Sequence, residues 1–408
     1  MSASTAAPAS ERLHALDALR GGALLLGIVL HAAMSFVPAT PRFWFIQDTH
    51  PSLLLGLLTF TIHVFRMTAF FLMAGFFARM SFHRRGTQGF VRDRLQRIGL
   101  PLVIGWPILF TLMSLIAIWA SHFPNGGWSR SWPPVLPNFP LTHLWFIYVL
   151  LELYAAMLLL RSAFAWLDAS GTWRAAIDRL FAGIMRGPLA ALVPAIPIGI
   201  AFCLDQRWIN VMGVRTPDQS LITNAQAWIG FGTAFGVGWL LHRQIDLLRT
   251  IERRWLPHLL LAFGLILISF VLSGVMLSAS GAPTLPVSFA TLRLVSAVLY
   301  AAAIWISVFA VMGLALRFMS GFSLTWRYLA DASYWLYLIH MPIVMALQVM
   351  LSQLDWPGLI KFAIILVVAI LPMLASYHLL VRFTLVGAVL NGRRAEKRIL
   401  PHGGIAAA

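Results

Sequence analysis

The sequence predicts an all-α fold: a polytopic integral membrane protein with about ten transmembrane helices. Composition is the first reason. Of 408 residues, 60% are hydrophobic and 11% charged, with mean hydropathy +0.81. A water-soluble domain cannot hide that much apolar surface. Second, the apolar stretches have the length that a bilayer demands. Third, the basic residues are asymmetric. Twenty-three of the 30 Lys and Arg fall on the N-terminal side of the expected loops, six on the other side, and Arg66 lies within a span. Basic loops stay in the cytoplasm, so both termini are expected there, and an even number of crossings agrees.

Taken in order, residues 1–11 read as a disordered cytoplasmic tail, small and rich in Ser, Ala and Pro. They lack the basic start and short apolar core of a cleaved signal, so the first span is expected to be retained. Apolar spans follow at about 16–38, 53–78, 99–120, 141–160, 188–204, 223–241, 256–278, 291–316, 331–351 and 359–381. Internal breakers such as Gly105-Trp106-Pro107 and Pro194-Ala195-Ile196-Pro197 are tolerated when neighbouring helices satisfy the freed backbone groups. Trp44, Trp132, Trp145 and Trp356 stand near span ends, as interfacial belts require. Residues 383–408 read as a basic cytoplasmic tail. The net charge of +16 is explained by topology and an anionic leaflet rather than by nucleic acid. The single cysteine, Cys203, excludes an internal disulfide.

Chemistry is expected where ionisable groups enter the apolar spans, because such groups are costly there and mark functional paths. The first span carries Asp17 and Arg20 at its start and His31 deep inside. Arg20 and His31 are eleven residues apart, about three turns and about 16 Å of rise on one face. In the second span Thr59, His63 and Arg66 form one stripe at i, i+4, i+7. Arg66 falls near mid-membrane, either as a structural ion pair or as an anion clamp, since guanidinium binds carboxylate and phosphate bidentately. Arg94 and Arg97 precede the third span. They suit a phosphate-rich donor or, equally, a positive-inside anchor. The fourth span supplies His143, Trp145 and the carboxylate Glu152, a partner for Arg66 or for a histidine. The ninth brings His340 to mid-membrane, with Tyr334 and Tyr337 at helical spacing. No Walker loop, dinucleotide fingerprint, nucleophile elbow or zinc-protease motif is present, and no HxxxH pair supports a metal site.

LDALRGGALLLGIVLH, with Arg20 and His31, resembles the first-helix signature of the membrane acyltransferase-3 family. RDRLQRIGLP resembles the family's basic RxxR segment, and HLWFIYVLLELY and ASYWLYLIHMPI resemble further blocks. The resemblance runs from Arg12 to about Arg382, expected as one acyltransferase-3 transmembrane domain at 12–382. Within the family, TIHVFRMTAFFLMAGFF and THLWF are most similar to the glucans biosynthesis protein C group, which succinylates periplasmic glucans. The resemblance implies an essential histidine at His31, Arg20 as its partner, and Arg94 and Arg97 near the acyl donor.

The expected activity is O-acylation. Acyl-coenzyme A enters from the cytoplasm as a co-substrate, with no tightly bound cofactor and no metal. Arg20, Arg94 and Arg97 hold its phosphates, and His31 acts as general base or as nucleophile. His63 and Glu152 complete the expected catalytic set. Arg66, His143, Trp145, His340 and Tyr337 are expected to contact substrate or acyl chain. The acceptor is an extracytoplasmic carbohydrate, and the location is the cell inner membrane. The rival reading is a transporter or flippase using the buried His, Arg and Glu as a proton relay. Acyl transfer by the purified protein separates the two.

Overall fold

The computed structural model describes residues 9–38, 44–126, 138–209, 213–279 and 288–392. The expected roles of Arg42, Arg130 and Trp132, most of the expected N-terminal tail, and Arg393, Arg394, Lys397 and Arg398 of the basic tail lie outside them. The described residues are predominantly helical, without a strand. Their one β-bridge joins Ile46 to Gly126. In order the α-helices are α1 (Ala9–Ala33), α2 (Leu53–Arg94), α3 (Leu100–Ala120), α4 (Trp145–Leu167), α5 (Thr172–Arg186), α6 (Ile196–Leu204) and α7 (Ala225–Arg243). They continue with α8 (Leu248–Arg253), α9 (Trp255–Ala279), α10 (Phe289–Phe318), α11 (Leu324–Ser352), α12 (Gly358–Ser376) and α13 (Leu385–Asn391). Thus α1 begins inside the segment expected as a tail, and α13 lies in the expected basic tail.

Helix starts follow their caps. Ser52, Asn224, Ser288 and Ser323 each accept a hydrogen bond from an amide three residues on, satisfying a donor the helix leaves open. Seven stretches are long and apolar enough to cross a membrane. One of them, 53–120, contains two expected spans. Its 68 residues would measure about 100 Å if straight. Instead the chain turns back at Gly86, whose φ is 68°. Phe82 and Phe90 then stack edge to face at 5.9 Å, and Arg85 meets Asp93 at 3.2 Å. The helix itself runs on past the expected end of the second span at 78, through Arg79 and Arg85. A π-helical turn, Leu95–Gly99, joins α2 to α3.

The expected span 188–204 is helical only over Val193–Leu204, about 18 Å and well short of a bilayer core of about 30 Å. Pro194 and Pro197 sit in its first turns, where proline is tolerated. Helix α7 is not among the seven, because Gln226, Thr233 and several glycines dilute its apolar content. Helix α5, read as a loop in the sequence, is amphipathic. It buries Phe181 and Met185 and exposes Trp173 and Leu180.

Helix α1 packs between α2 and α11, α2 lies along α7, and α9 lies along α10. The α2–α7 approach is backbone to backbone: a Cβ on Gly75 would strike the Phe235 carbonyl, and one on Gly238 the Leu72 carbonyl. Phe71 stacks on Phe231 at 4.6 Å and meets Phe146 at 5.4 Å, tying α2, α4 and α7 together. Two of the six basic residues counted on the outer side, Arg293 and Lys361, are buried in the first turns of α10 and α12. Arg293 donates to the carbonyls of Phe202, Cys203 and Asp205. Lys361 donates to both Asp48 carboxylate oxygens at 2.8 and 2.7 Å and to the Leu354 carbonyl at 2.9 Å.

Candidate active site

The last turn of α1 carries His31, and α11 brings His340 against it. His31 Nδ1 lies 2.8 Å from His340 Nε2, with the rings 5.0 Å apart. The other nitrogen of His340, Nδ1, contacts the Tyr337 carbonyl one turn back. A carbonyl only accepts, so Nδ1 of His340 carries the hydrogen. In the neutral imidazole Nε2 is then the acceptor. His31 must therefore donate from Nδ1, which leaves its Nε2 as a lone pair. This assignment follows from the hydrogen-bond network. On its other face His31 stacks on Trp44, 6.0 Å between centroids and 5° between planes. Gln348 holds both, accepting from Trp44 Nε1 at 2.9 Å and donating to the His31 carbonyl at 2.8 Å.

His143 sits in the short 3-10 turn Thr142–Leu144 that precedes α4. Thr142 has φ of 54°, the one non-glycine at positive φ among the described residues. A β-branched residue there is strained by about 1–3 kcal/mol, a cost that concentrates at functional sites. His143 Nε2 donates to the Leu338 carbonyl at 3.1 Å. Its Nδ1 is buried and meets no protein group. Tyr337 donates to the His143 carbonyl at 2.6 Å, which fixes α11 against this turn.

Arg66 of α2 completes the wall. Its Nε is buried without an acceptor. The guanidinium lies so close to α1 that a Cβ on Gly27 would collide with Nη1. His31, Arg66, His143, Trp145, Tyr337 and His340 all line one cavity of about 40 Å³, together with Gly27 and apolar neighbours. That is room for a few waters or a narrow acyl chain. None of the lining residues carries a carboxylate. Its chemistry is thus two bare imidazole nitrogens beside a cation with unmet donor capacity, which suits proton removal next to a bound anion.

Two expected catalytic residues are not brought to this cavity. Glu152, in α4, accepts from the Thr223 hydroxyl at 2.7 Å and does not line it. His63, one turn before Arg66, also lies outside the lining. The expected donor residues gather instead at the far end of α1. Arg20 pairs with Asp17 at 3.2 Å and lies over Phe77. Arg94 and Arg97 share the buried Asp93 with Arg85. Arg94 also donates to Ser81 and Tyr154, and Arg97 to the Leu390 carbonyl. Arg97 is within electrostatic reach of Arg20. The π turn sets its direction, and Tyr334 donates to its carbonyl at 2.9 Å.

Sequence reasoning passed over Asp93, Gly27, Thr142 and Gln348, and it took Trp44 for an interfacial belt. Asp93 had a signal, a carboxylate within the basic RDRLQR run. The others depend on long-range contacts that no local pattern encodes.

The acyltransferase-3 family model, an acyltransferase domain, matches residues 13–378. Glucans biosynthesis protein C of Shigella dysenteriae serotype 1 (strain Sd197) is 33% identical over 149 residues, 35% of this chain and 37% of that protein. The proteins of the same name from Escherichia coli O1:K1 / APEC and O157:H7 (strain EC4115 / EHEC) are 32% identical over the same shares. The chain therefore matches little more than a third of the length of these relatives. No solved structure matches. With the domain covering nearly all of its length, the chain belongs to the acyltransferase-3 family.

Proposed function

We propose that this protein is a membrane-bound O-acyltransferase. It moves a succinyl or acetyl group from cytoplasmic acyl-coenzyme A to a hydroxyl of an extracytoplasmic glucan or other envelope carbohydrate. One observation carries the reading: the hydrogen-bond chain from the Tyr337 carbonyl through His340 to His31, which leaves Nε2 of His31 as a base in the cavity that Arg66 enters.

Ten crossings follow if 53–120 counts twice and the whole stretch 188–204, of which Val193–Leu204 is the helical part, and α7 complete the set. Both termini are then cytoplasmic, in the cell inner membrane. The excess of basic residues on the N-terminal side supports this orientation. The donor headgroup sits at Arg20, Arg94 and Arg97, and its pantetheine arm reaches along α1 toward His31.

His31 Nε2 takes the proton from the sugar hydroxyl as its oxygen attacks the thioester carbonyl. The tetrahedral intermediate collapses, the carbon–sulfur bond breaks, and the imidazolium returns the proton to the leaving thiolate. His340 accepts from Nδ1–H of His31 throughout and keeps the ring in the productive tautomer. Arg66 binds the distal carboxylate of a succinyl donor. His143 Nδ1, bare in the cavity, accepts from the sugar hydroxyl or from water.

The test is His31→Ala in purified full-length protein. Transfer of labelled succinyl from succinyl-coenzyme A to a glucan is expected to vanish while membrane insertion and abundance are kept. Surviving transfer would overturn the reading. Proton-driven glucan movement without acyl transfer would favour the transporter.

A further inference from the structure

A second and larger cavity, about 200 Å³, opens beside the ends of α3 and α11. Thr49, Phe123, Asn125, Ser352, Gln353 and Asp355 supply its walls. We propose that this cavity is a binding subsite for a neutral sugar unit of the acceptor, an inference that rests on the carbohydrate reading above.

The position fits. His340 and Ser352 are twelve residues apart on α11, about 18 Å. Gln348, one turn before Ser352, grips Trp44 over His31. The cavity therefore stands at the end of α1 away from Arg20, beyond the Trp44–Gln348 pair that covers the imidazole.

The chemistry fits a carbohydrate. Among the described residues the lining offers the carboxamides of Asn125 and Gln353, the Asp355 carboxylate and one aromatic ring, Phe123, while the Thr49 and Ser352 hydroxyls are already engaged by His50 and by Val349 and Gln353. Planar amide and carboxylate groups pair with adjacent sugar hydroxyls, and a phenyl face packs against the C–H side of a pyranose. Among the described residues no Lys or Arg lines the space, which favours a neutral ligand over phosphate or an anionic lipid headgroup. Asp355, whose side chain is 96% exposed, pairs with His50 at 3.1 Å through one of its two carboxylate oxygens.

The walls are held before any ligand arrives. Gln47 donates its amide to the Asn125 carbonyl at 3.0 Å, beside the Ile46–Gly126 bridge. The Lys361–Asp48 pair, at 0% and 2% exposure, anchors the Thr49 segment to the start of α12. Lys361 also holds the Leu354 carbonyl. Such pre-ordering lowers the entropy cost of binding a flexible oligosaccharide.

Equilibrium binding of a fluorescent linear glucose tetraose to full-length protein in nanodiscs tests this. Wild-type protein should bind, and Asn125→Ala combined with Gln353→Ala should weaken binding about tenfold, the loss of one or two good hydrogen bonds. Trp173→Ala, on the exposed face of α5, should bind as wild type does, which controls for substitution elsewhere in the protein. Equal binding by the double variant, or none by wild type, overturns the subsite. Transfer that survives in His31→Ala would instead sink the catalytic reading and leave the subsite standing.

Discussion

Lys361 and Arg66 are both cations inside the bundle, and their surroundings are opposite. Lys361 is fully buried and completely satisfied, with two carboxylate oxygens and a carbonyl on its ammonium. Arg66 has a buried Nε without an acceptor and shares its cavity with histidines rather than carboxylates. A buried charge alone therefore does not mark a site. A charge whose partners are all protein groups holds the fold together, and one whose capacity is left open is built for something that arrives later.

The sharpest way to break that contrast is to exchange the two residues' fates. Lys361→Met leaves the Asp48 carboxylate buried and unpaired, at an expected cost of about 3–5 kcal/mol. The thermal midpoint in detergent should fall steeply, and adding Asp48→Leu should recover much of the loss. Arg66→Met should shift the midpoint far less, since its buried Nε has no acceptor to lose. Its succinyl transfer should drop about 100-fold, as expected for loss of a preorganised charge at the reacting centre. Acetyl transfer should fall much less, because acetyl has no distal carboxylate. Equal loss of both activities would remove the succinate clamp. Gly27→Ala sharpens the contrast from the other side of the cavity. Its methyl group displaces Nη1 of Arg66, and a displacement of about 1 Å near the chemistry should cost about tenfold in succinyl transfer. A Gly27→Ala variant with wild-type kinetics would show that the guanidinium's placement is immaterial.

The same contrast separates what was legible in the sequence from what was not. His31, Arg66, His143, Trp145, Tyr337 and His340 stood out as polar or aromatic groups in apolar spans. The structure gathers all six, because each avoids lipid only by facing the same interior. The helical class was legible for the same reason, since apolar runs of bilayer length leave the backbone few other ways to satisfy itself. Lys361 and Arg293 were legible only as charges near the starts of their spans, because charge counting records where a residue falls along the chain and not what lies across from it. The partners that satisfy them, Asp48 and the 202–205 carbonyls, are remote in sequence. The i, i+4, i+7 stripe of Thr59, His63 and Arg66 was real as spacing, yet the cavity takes only its last member. Helical periodicity gives a face and leaves open how far along that face a cavity extends.

Glu152 supplies the smallest expected effect. As the leading carboxylate of the spans it was expected to serve Arg66 or a histidine, but its Oε2 is occupied by the Thr223 hydroxyl, just before α7. Glu152→Gln keeps an oxygen able to accept that hydrogen bond and changes only the charge. Transfer activity should stay within about twofold of wild type and stability within about 1 kcal/mol, the worth of one ordinary hydrogen bond. Steady-state kinetics together with a thermal scan check both. A loss of 100-fold or more would return Glu152 to the catalytic set, and it would mean that α4 and α7 rearrange when donor binds, since nothing at its present position connects it to His31.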